Sequence, residues 1–338
     1  MSWKLLKKQD LEAFLSQLSS QAELFITRRE NDRWKFKKYE PDTETEFPAN
    51  LIDESLKSYF FPKRRPIATF DLQKKWSMQA VDAETQPRII MGLHACDAAG
   101  IEFLDRVFML NDYKDDLYAA ERQRTVLIGH ICREMGEFCH CTDRGIQPDQ
   151  SSGFDVIFAE TDEGLLFSAI TVKGEKILDS ELLHNTDELP PQKKWQKDRY
   201  PVSEPKHILS TYDDDIWKHL SDICLTCGSC TFECPTCTCF LISDEKFRGK
   251  GERITVWDSC QNRSYSRMAG GYNPRSQNLD RVRNRTLDKF GYSFQKYGTI
   301  SCVGCGRCVI HCPLQRSFPQ IACELSDHIQ QKHSKEVK

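Results

Sequence analysis

The sequence predicts two folding units of different character. The first is an α+β (mixed α/β) N-terminal domain, residues 1–200. The second is a mainly α-helical domain, residues 208–325, followed by a polar tail, 326–338, expected to fray. Three observations predict this. Apolar runs of strand length alternate with helical periodicity in the first half. Thr186 to Lys206 then holds Pro190, Pro191, Pro201 and Pro205 among many charges, the composition of a linker. Beyond it, strand signals become sparse and cysteines dense.

Element by element, Lys8 to Leu24 reads as a surface helix, with Leu11, Phe14, Leu15 and Leu18 on one face. Leu51 to Phe60 reads as a second short helix. Arg88 to Leu93 (RIIMGL) is a buried strand that runs into His94-Ala95-Cys96-Asp97, with Asp97 the expected N-cap of a helix through Phe108. Thr125 to His130 (TVLIGH) is a second buried strand, followed closely by Cys132. Phe154 to Glu160 and Leu165 to Val172 form a strand pair around an Asp-Glu-Gly turn. Ile216 to Ile223 is a helix leading into the first dense cysteine run.

Bulk composition narrows the function classes. In 338 residues, 39% are hydrophobic and 29% charged, and the net charge is −3, too small to argue for nucleic acid or membrane as a global partner. No apolar stretch approaches membrane-helix length. Met1 to Leu18 lacks the apolar centre and cleavage site of a signal peptide, so a cytoplasmic location is expected. There the 16 cysteines stay reduced, and tight spacing points to metal.

Two runs carry that chemistry: Cys224-x2-Cys227-x2-Cys230-x3-Cys234-Pro235 and Cys302-x2-Cys305-x2-Cys308-x3-Cys312-Pro313. Two-residue gaps let three thiolates converge on one [4Fe–4S] cubane, and the fourth cysteine reaches the other cluster. The spacing therefore predicts two crossed sets: Cys224, Cys227, Cys230 and Cys312, and Cys302, Cys305, Cys308 and Cys234. Gly228 and Gly306 supply the tight turns. Zinc needs four close ligands, whereas each run offers three and a displaced fourth. This is an α-helical dicluster ferredoxin-like domain with a long insertion, since 67 residues separate Cys234 from Cys302.

The insertion is basic, with twelve Lys/Arg against four Asp/Glu from Lys246 to Lys296. It reads as a nucleic-acid patch, as a solvated face, or as donors that neutralise anionic clusters and bind a partner or a cofactor phosphate. The third reading takes Arg275, Arg281 and Arg283 as cofactor-binding residues. Cys237, Cys239 and Cys260 are three thiols, either a cluster set lacking its fourth ligand or packing around the main clusters. In the first half, Cys96, Cys132, Cys139 and Cys141 fall within 46 residues, two of them after strand ends. They read as the ligands of a third [4Fe–4S] cluster or as ordinary buried thiols. The cluster reading requires RIIMGL and TVLIGH to lie side by side, with Cys139 and Cys141 sharing a face if locally extended. Cys323 stands alone.

CLTCGSCTFECPTCTCF, WDSC, AGGYNPR and CVGCGRCVIHCP, in this order, together with GLHACDAAGIEFLDRVF, resemble the beta subunits of cytoplasmic sulfhydrogenases and the A subunit of anaerobic sulfite reductase. The resemblance spans roughly Arg88 to Pro313; it departs at His94-Ala95, where Arg-Pro is expected. It implies an electron relay between a flavin subunit handling NAD(P)H and a catalytic subunit of hydrogenase or sulfur/sulfite reductase type. Nucleic acid and direct membrane insertion are not expected partners. No G-x-G-x-x-G fingerprint is present, consistent with a relay. The alternative is a subunit whose first domain binds flavin or a deazaflavin and reduces its own substrate. A third class is a nucleic-acid protein with structural clusters.

Overall fold

The computed structural model describes residues 2–73, 77–110, 112–196, 199–222, 224–315 and 318–336. Its strands, in chain order, are β1 (Trp3–Lys7), β2 (Glu23–Glu30), β3 (Arg33–Lys38), β4 (Arg64–Asp71), β5 (Ser77–Ala80), β6 (Arg88–Leu93), β7 (Thr125–His130), β8 (Val156–Glu160), β9 (Gly164–Ala169), β10 (His184–Thr186), β11 (Phe240–Phe247) and β12 (Lys250–Trp257). The chain divides into two compact units. Unit 1 is Met1–Leu56 with Ala83–Lys197, and unit 2 is Lys57–Asp82 with Asp198–Lys338. The break at Lys197 falls inside the proline-rich stretch, but Lys57–Asp82 joins the second unit, which a single boundary near residue 200 does not describe.

Unit 1 is built on one eight-stranded sheet in the order β10-β1-β9-β8-β7-β6-β2-β3. Its centre, β2, β6, β7 and β8, is parallel. Antiparallel pairs close both sides. Every residue of β6 is buried, which explains why RIIMGL is an unbroken apolar run rather than an alternating one. Phe14, Leu15 and Leu18 of the helix Leu11–Gln21 pack into a core with Ile89, Met91, Ile128, Val156 and Phe158. That helix is shorter than the Lys8–Leu24 expectation because β2 begins at Glu23. Of Leu51 to Phe60 only Lys57–Phe60 is helical. The cap of Ala95–Phe108 also differs. His94 is the N-cap, and Asp97 is the third helical residue, its carboxylate accepting from His94 N at 3.1 Å. A carboxylate reaching back to the cap is half of a capping box, so the acid is one turn later than a cap would be.

Unit 2 packs Ile208, Trp217, Leu220, Val282, Leu287, Phe290, Phe318, Ile321 and Leu325 into one core, with Cys224, Cys302 and Cys308 against its edge. These residues come from the helices Pro205–Leu209, Ile216–Asp222, Asn278–Leu287 and Phe318–Glu336 and the π turn Asp288–Tyr292. Of the tail expected to fray, 326–336 continues the long helix Phe318–Glu336, with Ile329 buried. The expectation of a mainly helical domain meets a four-stranded antiparallel sheet, β11-β12-β4-β5. Its hairpin turns at Arg248 and Gly249, both with positive φ, 51° and 86°. That is the geometry of a two-residue primed turn, usually written Asn-Gly or Asp-Gly. Arginine at its first position, and a β11 exposed along its whole length, hid the hairpin from the sequence reading.

Candidate metal centres

The two cysteine runs fold alike. Gly228 and Gly306 take left-handed backbone, φ 78° and 82°, and each starts a four-residue helix, Ser229–Phe232 and Arg307–Ile310. A Cβ-bearing residue is strained there, so the two glycines are required by the winding. Two residues after the first cysteine of each run, Thr226 and Gly304 also have positive φ, 49° and 64°. For threonine this is an uncommon conformation. It aims the Thr226 N–H at the Cys224 sulfur, 3.4 Å away. Ser229 Oγ donates to His311 O at 3.0 Å, tying the first run to the end of the second.

One pocket is lined by Cys224, Cys227 and Cys230 of the first run and by Cys308 and Cys312 of the second, with Val282, Phe318 and Ile321 as apolar walls. Cys312, the last cysteine of the second run, thus stands with the first three of the first. Cys234 bears on cysteines of both runs, on Cys230 of the first and on Cys305 and Cys308 of the second. Burial pushes the Cys305 thiol up to about 12, with Arg307 opposing and Cys234 and Cys302 adding to it. Burial raises Cys308 well above the ordinary thiol range, followed by Cys305, Cys302 and then Cys234. Crowded thiols in an apolar setting repel one another as thiolates, and a multiply charged metal core removes that penalty. The donor set is all sulfur, the chemistry of iron–sulfur clusters and zinc.

Buried cations provide a second fit. Arg285 is 4% exposed, and Lys289, on the π turn, is 2% exposed. Neither pairs with a carboxylate among the described residues. Arg285 Nη1 donates to Cys237 Sγ at 3.1 Å and Nη2 to Cys230 O at 3.1 Å. Burial opposes its charge, yet the Cys230, Cys237 and Cys234 thiolates outweigh it and hold the guanidinium well above its usual range. Lys289 Nζ donates to Thr236 Oγ1 at 2.6 Å, and Cys234 and Cys237 raise it against burial. A buried, unpaired cation is expensive, so these two require anionic sulfur beside them. Lys57 adds a third, its Nζ donating to Cys237 O at 3.1 Å and lying 3.8 Å from the Trp257 ring centre. Burial brings it down to about 8.

The three insertion cysteines do not act as one set. Cys237 hydrogen-bonds Cys234, which that bond and then Lys289 and Arg285 hold well below the ordinary thiol range against burial. Cys239 hydrogen-bonds Cys260 instead, bringing Cys260 down to about 6. Helical spacing carries a signal for the cations that the sequence reading did not use. Arg281, Arg285 and Lys289 recur every four residues and are all buried, whereas Arg283 points elsewhere. Arg283 pairs with Asp280 at 3.2 Å and lies over the Tyr212 ring at 4.1 Å. Arg275 donates its backbone N–H to Asn273 Oδ1 at 3.0 Å. Lys57 lies 167 residues before Cys224, and nothing local in the sequence announces it.

In unit 1, β6 and β7 are parallel neighbours, as the third cysteine group requires. Cys96 lies in the first turn of Ala95–Phe108, just beyond the carboxyl end of β6. Cys132 follows β7, its sulfur 3.4 Å from His94 Nδ1. Burial raises Cys132 well above the ordinary range, and Cys141 and Cys139 push it further. Cys141 is pushed up to about 12 by burial and then by Cys139. Cys139-His140-Cys141 is not locally extended, the condition under which Cys139 and Cys141 would share a face, because Cys141 opens a 3₁₀ turn, Cys141–Arg144. Cys323 Sγ meets Pro201 O at 3.3 Å.

Two cysteine runs of the same spacing on paired left-handed turns are the pattern of an iron–sulfur protein, and residues 223–316 match the family described as 4Fe-4S dicluster domain. Among known proteins, the chain is similar to sulfhydrogenase 2 subunit beta of Pyrococcus furiosus, 28% identical over 349 residues that cover 97% of this chain and 99% of that one. No solved structure matches the chain. No helix among the described residues is long and apolar enough to cross a membrane.

Proposed function

We propose that this chain is an electron-relay subunit of a sulfhydrogenase-type complex, standing between a flavin/NAD(P)H subunit and a catalytic subunit. Cys224, Cys227, Cys230 and Cys312 hold one [4Fe–4S] cluster. Cys302, Cys305, Cys308 and Cys234 hold the second, and Cys96, Cys132, Cys139 and Cys141 a third. The observation that carries the reading is the presence of Cys312 in one pocket with Cys224, Cys227 and Cys230. When bound, such clusters supply one-electron redox chemistry, which a partner's flavin connects to a two-electron donor. The chain's own groups prepare the sites. Cys237 donates a hydrogen bond to the Cys234 sulfur, Arg285 and Lys289 offset thiolate charge, and Phe318 and Ile321 keep water from one side.

The test is iron counting on anaerobically purified full-length chain. Three clusters give about twelve irons, at roughly four each. Replacing Cys234 by Ser is expected to remove about four and to spare the cluster bound by the first run. Zinc in place of iron, or loss from the Cys224 set instead, sinks the crossed assignment. A wild-type content of about eight sinks the third cluster.

A further inference from the structure

We propose that unit 2 carries a binding site for a doubly charged oxyanion beside the first cysteine run, with Arg263, Arg267 and Arg281 as its ligands. The site goes beyond the relay reading and does not depend on it; only Arg281 continues an expectation drawn from the sequence.

A cavity of about 830 Å³ brings the three arginines together with Thr226, Asn262 and Asn273, and no carboxylate lines it. None of the three arginines makes an ion pair among the described residues. Arg281 is 4% exposed and rigidly placed. Its Nη1 donates to Arg275 O at 3.1 Å and to Ser276 O at 3.0 Å, and its Nη2 to Asn278 Oδ1. Its Nε is buried without a hydrogen-bond partner. Burial, and then the charge of Arg263, push this guanidinium below the usual arginine range. Asp280 and Cys224 offset only part of the burial and of the repulsion from Arg263, and a bound anion relieves the rest.

The loop that carries Arg263 and Arg267 is built in advance. Asn273 Nδ2 donates to Arg263 O at 2.6 Å, and its Oδ1 accepts from Ser266 Oγ at 2.8 Å and from Arg275 N at 3.0 Å. Asn273 and Arg275 are thus the residues of AGGYNPR that tie this loop together. The far wall is Thr226, the residue between Cys224 and Cys227 whose positive φ, 49°, is uncommon for a β-branched side chain. Planar guanidinium forks match oxyanions in two-point contacts, whereas a halide has no such geometry. The chemistry is shared by inorganic phosphate and the terminal phosphoryl group of a nucleotide.

The test titrates the full chain, purified anaerobically with its iron, with inorganic phosphate by calorimetry at constant ionic strength. Saturable binding is expected. Arg263→Gln combined with Arg267→Gln is expected to weaken it by roughly tenfold or more, since each charged hydrogen bond is worth about that factor. Iron content and visible absorption are read in the same samples and are expected to stay unchanged, which separates loss of this site from loss of the cysteine sites. A second arm uses ADP. Binding tighter than phosphate assigns the site to a nucleotide's phosphoryl group, and equal or weaker binding assigns it to the free anion; both support the site. Heat that does not saturate with either probe, or an affinity unchanged in the double variant, overturns it.

Discussion

Arg285 sits where a guanidinium is hardest to accommodate, buried in a pocket wall with its Nε unpartnered. Its stabilisation comes from sulfur, through Cys237 Sγ and the thiolate charge of Cys230 and Cys234. A cation in that position favours whichever state of its surroundings is more negative. Arg285→Leu is therefore expected to lower the midpoint potential of the neighbouring cluster, on the order of 60 mV for a tenfold loss of preference. Arg285→Lys, which keeps the charge and loses the fork, is expected to fall between. A redox titration followed by electron paramagnetic resonance reads the shift. A potential that stays put while the protein remains iron-loaded would reduce Arg285 to a packing residue. Legibility at this scale was uneven. The eight ferredoxin-type cysteines were evident from spacing alone, because their local geometry is encoded within each run. Lys57 was not, because its partners, Thr231 O and Cys237 O, lie more than 170 positions away.

Among the elements, β6 and the helix Ala95–Phe108 show how local chemistry positions a group for a site. The strand delivers the chain to His94, and the Asp97 carboxylate accepts from His94 N at 3.1 Å. Cys96 lies between them, in the first turn. Asp97→Ala is expected to cost about 1 kcal/mol, the usual value of a lost terminal carboxylate bond. Thermal unfolding monitored in the near-ultraviolet would measure it. No change in midpoint would show that the bond contributes nothing net. The strand and helix here were legible because an unbroken apolar run and helical periodicity are local patterns. The cap was placed three residues late because Asp qualifies for either position of a capping box. The hairpin of β11 and β12 was missed for a complementary reason. Its stabilising neighbour, β4, comes from a segment far earlier in the chain, so burial of Ile254 depends on a pairing that no local window contains.

At the scale of the molecule, the relay reading makes a kinetic claim. The isolated chain is expected to accept electrons from dithionite, seen as bleaching of its visible absorption. It is expected not to accept them from NADPH unless a flavin-bearing partner is added. Rapid bleaching by NADPH alone would falsify the relay role and favour a chain that binds its own flavin. The two compact units frame this claim, since each has a hydrophobic core of its own and its own group of cysteines.

The sequence by itself determined the cysteine runs, their glycine turns and the buried strands RIIMGL and TVLIGH. All of these follow from chemistry within a few residues: thiolate spacing, positive-φ turns and apolar runs. Only the tertiary structure decided which cysteines share a pocket, that Cys237 joins Cys234 while Cys239 joins Cys260, and that Lys57–Asp82 belongs with the second unit. It also decided which cations face the sulfur. Arg285 and Lys289 are buried beside thiolates, while Arg283 turns to Asp280 and Tyr212. The physical reason is that charge compensation and strand pairing act through space. Groups far apart in the chain become neighbours only when the core assembles, and local sequence carries no record of that distance.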